Sequence, residues 1–182
     1  MLNRYTLLLF ILLGCVAVQS QNELKIVDKT VKFGMRNVEN RSIDAVIVHS
    51  VYNAGGGDKY DIDLVIKEFS HYGVSSHYII GRDGTIYQLV SEKNISFQAG
   101  KSQLPDGQTN VNTCSIGIEL ITTKDSLDAP TKPQINSLVS LVKNIKSRYP
   151  IKYVLRHSDI APGRKTDPWN MDWVDFQKQL GD

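Results

Sequence analysis

Residues 43–51, "IDAVIVHSV", form an almost unbroken β-branched apolar run, and "CSIGIELIT" at 114–122 forms a second. Such runs offer water almost no polar face, so each reads as a strand inside a sheet. Interior strands need cover, and the sequence supplies amphipathic helices to provide it. Residues 60–72, "YDIDLVIKEFSHY", put Ile62, Val65, Ile66, Phe69 and Tyr72 on one helical face, with Gly73 following as a C-cap. The strongest helix spans 131–149: Thr131 and Gln134 fit a capping box, and Ile135, Leu138, Val139, Val142 and Ile145 make one apolar stripe. Between these helices "SSHYIIGRDGTIYQLV" places two β-rich runs around a turn at Asp83-Gly84, the pattern of a hairpin. A short strand, "KYVL", and a closing helix, "MDWVDFQKQL", complete the series. Strands interleaved with helices predict an α/β domain whose central sheet is covered by helices.

The chain has 182 residues, enough for one such domain with a proper core. At its start, "MLNRYTLLLFILLGCVAVQSQ", Arg4 precedes an apolar run from Leu7 to Ala17 that is too short to span a bilayer. Residues 1–20 therefore read as a secretory signal peptide and 21–182 as a single exported domain, periplasmic or extracellular. "LLGC" admits another reading, a lipobox in which Cys15 carries a lipid; that anchor is the only membrane contact expected. Cys114 is the one cysteine left in the domain, so no internal disulfide forms and the core must hold the fold. A formal net charge of +2 lacks the basic excess of a nucleic-acid binder, and no nucleic-acid partner is expected.

Three polar segments interrupt the regular elements. "NAGGGDK" at 53–59 is a flexible loop whose glycines allow close approach to a ligand, or else a plain connector. Residues 91–113 are too long for a connector and read as a functional loop or a mobile one. "RHSDIAPGRKTDPW" at 156–169 gathers a histidine, two aspartates and three cationic residues into a stretch that its prolines and glycine exclude from helix and strand.

Four histidines are few enough to take singly. His49 ends a buried strand, where a neutral imidazole serves equally as a core hydrogen-bonder or a metal ligand. His157 follows a short strand, and Asp167 lies in the same constrained loop. Two histidines and a carboxylate on strand ends and loops are a common set for catalytic zinc, although no short "HxxxH" spacing fixes it here. Glu119 sits in "IGIEL"; a carboxylate there must be paired, turned outward, or held with a raised pKa. Lys165 either brings a cation to the same locus or is a solvated surface lysine. His71 reads as a surface residue at a helix end.

Taken in order over residues 43–168, "VIVHS", "SSHYIIGRDGTIYQLV", "CSIGIEL" and "RHSDIAPGRKTDP" resemble the zinc-dependent N-acetylmuramoyl-L-alanine amidases of the AmpD, phage-lysozyme and peptidoglycan recognition protein superfamily. The resemblance implies a mixed sheet covered by helices, a Zn2+ ion held by His49, His157 and Asp167, and Glu119 as the acid that activates water. It further implies Lys165 as the oxyanion stabiliser and His77 as a residue beside the site, orienting or structural. In the phage and recognition-protein branches a catalytic tyrosine often precedes that histidine; here the position is Ser76, which leaves more of the base work to Glu119.

The implied substrate is peptidoglycan or its muropeptides, cut between N-acetylmuramic acid and L-alanine, with activity falling below about pH 6 as the histidines protonate. Asn53, Gly55 and Gly56, with residues 91–113, are the candidates for the groove walls. Pro162, Gly163 and Pro168 are expected to fix the path of the metal loop, with Asp159 and Arg164 holding its shape. The chain is expected to act as a monomer. Competing readings are a non-catalytic peptidoglycan-binding module of the same fold, a secreted antibacterial amidase toxin, and a non-enzymatic lipoprotein resting on Cys15 alone.

Overall fold

The structure is a computed structural model that describes residues 24–181. The expected signal peptide and Cys15 lie outside the described residues. In chain order the elements are β1 (Ile26–Asp28), β2 (Met35–Arg36), β3 (Ala45–Val51), α1 (Ile62–Tyr72), β4 (Tyr78–Ile80), β5 (Ile86–Gln88), β6 (Ile95–Ser96), a 3-10 turn at Val111–Thr113, β7 (Ser115–Ile121), α2 (Lys132–Arg148), β8 (Tyr153–Arg156), α3 (His157–Ile160) and α4 (Trp173–Leu180). Six strands form one sheet in the order β1-β5-β4-β7-β3-β8, while β2 and β6 pair separately. The two apolar runs lie side by side as the parallel pair β3–β7, flanked by parallel β8 and β4; the hairpin partner β5 runs antiparallel, so the sheet is mixed.

Side chains alternate between the faces of a strand, and here both faces are covered. Val46, Val48, Ile116, Ile118 and Leu120 point to one face and pack against Leu138, Leu141, Val142 and Ile145 of α2 and Phe176 of α4. Ala45 and Ile47 point to the other face, against Ala99, Leu104, Val111 and Ile160, while Ile79 and Ile121 meet Val65 and Phe69 of α1. Each of these large aliphatic side chains contributes roughly 1.5–3 kcal/mol by leaving water.

The caps explain where the helices begin and end. Asp61 accepts from the Asp63 and Leu64 amides, which starts α1 later than the expected residue 60, and Gly73 closes it at φ 63°. Thr131 and Gln134 form the expected capping box on α2. Fully buried Gln134 also donates Nε2 to the carbonyls of Ile80 and Ile121, tying the start of α2 to β4 and β7. Among the described residues no helix is long and apolar enough to cross a membrane.

Two polar stretches are more ordered than their composition suggests. Residues 91–113 pack as a layer over the sheet, with Glu92, Ser96, Ala99, Leu104 and Val111 buried. The stretch 156–169 is not wholly irregular: it begins with the helical turn α3, because Asp159 accepts the Arg156 amide and ion-pairs with its guanidinium at 2.7 Å. Its prolines fall only at 162 and 168, after that turn has closed.

Candidate active site

Sheet register builds the site. His49 on β3 stands opposite Glu119 on β7, and Val48 stands opposite Arg156 at the end of β8. The next residue, His157, therefore arrives beside His49; their ring centroids are 4.3 Å apart at 67°. Three candidate side chains thus leave one face at the C-terminal ends of three adjacent parallel strands, where α/β sheets place their ligand crevices.

Asp167 returns to the same point along a braced loop. The Ala161 carbonyl accepts from both the Arg164 and Lys165 amides, Gly163 turns the chain at φ 75°, and the Ser158 amide donates to the Asp167 carbonyl at 3.0 Å. Arg164 clamps the loop by donating to the carbonyls of Ala99 at 2.7 Å and Lys101 at 2.6 Å. The Asp167-Pro168 peptide is cis.

Asp167 Oδ2 lies 3.0 Å from His157 Nδ1 and 3.5 Å from His49 Nδ1, and all three residues are buried. His157 Nε2 faces the Ala99 carbonyl at 3.2 Å. A carbonyl only accepts, so in the neutral ring the proton resides on Nε2 and Nδ1 carries a lone pair. That lone pair points at a carboxylate oxygen, an arrangement that calls for a cation between them. Burial pushes the His49 pKa down to about 4, only partly offset by Asp167. Burial works to raise the Asp167 pKa, but the His157 and His49 ring edges that face it outweigh burial and hold the group well below the usual carboxylate range. A neutral imidazole beside an ionised carboxylate is what a divalent metal requires. The three donor atoms lie within 4.8 Å of one another, so the residues present fit a metal ion.

Glu119 is 7% exposed. Burial and then the Asp167 charge raise its pKa well above the carboxylate range, with Lys165 acting in the opposite sense. An acid held near its neutral form within the field of a cation is suited to exchanging a proton.

These groups open into a pocket of about 210 Å³. Phe69, Val74, Phe97, Gln98 and Trp169 complete its walls. Trp169 is fixed by its Nε1 donating to Thr166 Oγ1 at 3.1 Å, its amide donating to Ser50 Oγ at 3.2 Å, and the edge of Tyr52. Phe69 had a helix period and reads as core, while the lone Phe97 and Trp169 carry no periodic signal; their place inside polar loops is the one cue that could have found them.

The expected groove residues on the glycine loop are elsewhere. Asn53, Gly55 and Gly56 line a separate hollow with Leu64, Lys67, Glu68, His71 and Tyr72. The Asn53 carboxamide is engaged in closing its own loop, donating to the Gly56 and Asp58 carbonyls and accepting from the Gly55 amide. Of the two expected walls, only the 91–113 segment reaches the metal pocket, through Phe97 and Gln98.

His77 belongs to the frame. Its Nδ1 meets the Gly117 amide at 3.0 Å and Ser96 Oγ at 2.9 Å, and its Nε2 meets the Asn94 carbonyl at 3.1 Å, so it pins β4 to β7 and β6. Neither nitrogen is left to orient a metal ligand. Ser76 is fully buried, with its hydroxyl on the Tyr78 carbonyl.

Comparison with known proteins places this geometry. Residues 39–170 match the family model described as N-acetylmuramoyl-L-alanine amidase. The chain is 42% identical over 113 residues to the 1,6-anhydro-N-acetylmuramyl-L-alanine amidase AmpD of Escherichia coli K12, a match covering 60% of each chain. It is similar to a solved structure of AmpD, with a TM-score of 0.67 and 29% identity over 83% of this chain and 93% of that one. It is also similar to the amidase AmiD from E. coli, solved in complex with the substrate anhydro-N-acetylmuramic acid-L-Ala-D-gamma-Glu-L-Lys, with a TM-score of 0.65 and 31% identity over 79% of this chain and 60% of that one. The six-stranded mixed sheet, its covering helices and the family match over most of the domain agree: this chain belongs to the N-acetylmuramoyl-L-alanine amidase family.

Proposed function

We propose that the protein is a zinc-dependent amidase that hydrolyses the bond between N-acetylmuramic acid and the L-alanine of a peptidoglycan stem peptide. The observation that carries this reading is the convergence of His49, His157 and Asp167 on one point, with Glu119 held on the neighbouring strand of the same face. The substrate bound in the related AmiD structure supports a muropeptide as ligand.

His49, His157 and Asp167 would hold the ion. When bound there, zinc supplies Lewis-acid polarisation of the amide carbonyl and lowers the pKa of water. Glu119 accepts a proton from the attacking water and returns it to the departing amine, the step for which its raised pKa suits it. Lys165, on the pocket wall, places a fixed positive charge where the carbonyl oxygen becomes an oxyanion. Phe97 and Trp169 hold the substrate between rigid aromatic surfaces and exclude bulk water. Ser76 offers no phenol in this arrangement, since its hydroxyl faces the Tyr78 carbonyl inside the frame.

Export through residues 1–20 would deliver the enzyme to peptidoglycan and is part of the same proposal; the apolar leader in the sequence supports it. The test is incubation of purified protein with a defined muropeptide, with and without a chelator, followed by mass spectrometry. Release of a stem peptide beginning with L-alanine, abolished by chelation and restored by zinc, is the expected result. Intact muropeptide in the presence of zinc would refute the proposal.

A further inference from the structure

Each histidine of the metal trio has a second ring nitrogen, and the segment Gln98-Ala99 lies beside both rings. His157 Nε2 lies 3.2 Å from the Ala99 carbonyl. His49 Nε2 is buried without a partner at ordinary hydrogen-bond geometry, and so is Gln98 Oε1. The Gln98 side chain lines the same pocket as both histidines, and it is among the groups that act on the His49 ring.

Proton bookkeeping fixes how that carboxamide is turned. Ser115 Oγ donates to the Val111 carbonyl at 2.7 Å, so it has only lone pairs for Gln98, and the group 2.9 Å from it must be the Gln98 NH2. The oxygen is thereby left for the imidazole. Gly117 on β7 provides the room: a Cβ there would come within 2.5 Å of Gln98 Cγ. Asn112 Oδ1 holds the segment from behind by accepting the Gln98 and Ala99 amides at 3.1 and 2.8 Å.

We propose that Gln98-Ala99 is a single tautomer clamp: the Gln98 side-chain oxygen and the Ala99 carbonyl hold both histidines as Nε2–H rings, so that both present Nδ1 to the metal. This rests on the metal reading of the trio, and it makes Gln98 a positioning residue that acts through His49. Outer partners of this kind set metal affinity, by about 10–100-fold when they are removed.

The clamp is tested by zinc affinity, measured by competition with a chromophoric chelator, in the parent and in Gln98→Leu, Gln98→Glu and Gly117→Ala. Gln98→Leu removes the acceptor, and Gly117→Ala displaces it while leaving Gln98 in place; each should weaken zinc binding by about 10-fold or more. Gln98→Glu keeps an acceptor and should stay within about threefold of the parent. In zinc-loaded protein, imidazole nitrogen NMR should show Nε2–H on both rings, with only the His49 signal lost to exchange in Gln98→Leu. Parent-like affinity in Gln98→Leu, or equal weakening in Gln98→Leu and Gln98→Glu, overturns the clamp. Where Gln98→Leu does not fold, the contrast between Gly117→Ala and Gln98→Glu decides the same question. A parent that binds zinc but cleaves no muropeptide overturns the amidase reading and leaves the clamp standing; a parent that binds no zinc overturns both.

Discussion

Replacing Glu119 by glutamine separates chemistry from stability, because the two should move in opposite directions. Glutamine keeps the shape of a side chain that is 7% exposed and is not one of the proposed zinc donors, but it cannot carry a proton between water and amine. General acid–base catalysis is worth about 10²–10⁴ in rate, so kcat/KM should fall by that factor, equivalent to about 3–5.5 kcal/mol of barrier. Zinc content should not change. Stability behaves otherwise. Burial and Asp167 raise the Glu119 pKa in the folded, metal-free protein, so above about pH 4.5 the unfolded chain has released a proton that the native state still holds. At this site the native state then binds the more protons, and the Glu119 contribution to stability declines as pH rises towards the folded pKa, by up to about 1.4 kcal/mol per pH unit, opposite in sign to that of the buried histidines. Glu119→Gln lacks that decline. Urea unfolding at pH 5 and pH 8 in the presence of chelator measures it, and mass spectrometry of the muropeptide products measures the turnover. Parent-like turnover would remove Glu119 as the base, and parallel pH slopes in the two proteins would refute the environment assigned to it.

Other outcomes follow from the same geometry. Burial holds the His49 and His77 pKa values down to about 4 and about 3, so between about pH 6.5 and 4 the unfolded chain binds more protons and the metal-free protein should lose stability on acidification; a flat urea midpoint across that window would contradict it. Asp167→Ala should abolish stoichiometric zinc binding measured by metal analysis, because it removes the anionic donor common to both histidines. Trp169→Ala removes one aromatic wall and should reduce kcat/KM by roughly tenfold, mainly through KM, with zinc content unchanged; an effect confined to kcat would be at odds with a binding role. Glu92→Ala, far from the chemistry, should cost about 2 kcal/mol of unfolding free energy, since it strips a buried carboxylate from Arg148, Tyr78 and Tyr149. Its turnover at saturating substrate should be that of the parent.

The sequence is most legible where periodicity is strong. The runs at 43–51 and 114–122 are buried on both faces and the capping box of α2 forms as predicted, while the buried face of α2 runs through Leu138, Leu141, Val142 and Ile145, so Leu141 joins the expected stripe and Ile135 and Val139 lie half-buried at its margin. Strands β1, β2 and β6 are two or three residues long, too short to establish a period, and they were not foreseen. The trio was recognisable through residue type and motif order, because imidazole and carboxylate in a stiff loop have few other uses. Asn53, Gly55 and Gly56 stand apart from the pocket of His49 and His157 for a physical reason: glycine content marks conformational freedom, whereas the walls of that pocket are larger side chains such as Phe97 and Trp169. Gln98 could not have been found by spacing, since its role depends on a gap left by Gly117 nineteen positions away.

The parallel pairing of β3, β7 and β8 divides the molecule into two edges with unequal freedom. At the C-terminal ends, His49, Glu119 and His157 are locked to one hydrogen-bond ladder, and changing the length of any of these strands would move one donor relative to the others. At the N-terminal ends, Asp44, Cys114 and Lys152 are joined through the backbone, the Cys114 carbonyl taking the Asp44 amide and the Asp44 carbonyl the Lys152 amide, and by the Lys152–Asp44 ion pair at 3.4 Å. That far edge is therefore the side on which to graft a tether, a label or a second module: Lys152, with 64% of its side chain exposed, offers an attachment point that leaves His49, Glu119 and His157 where they are.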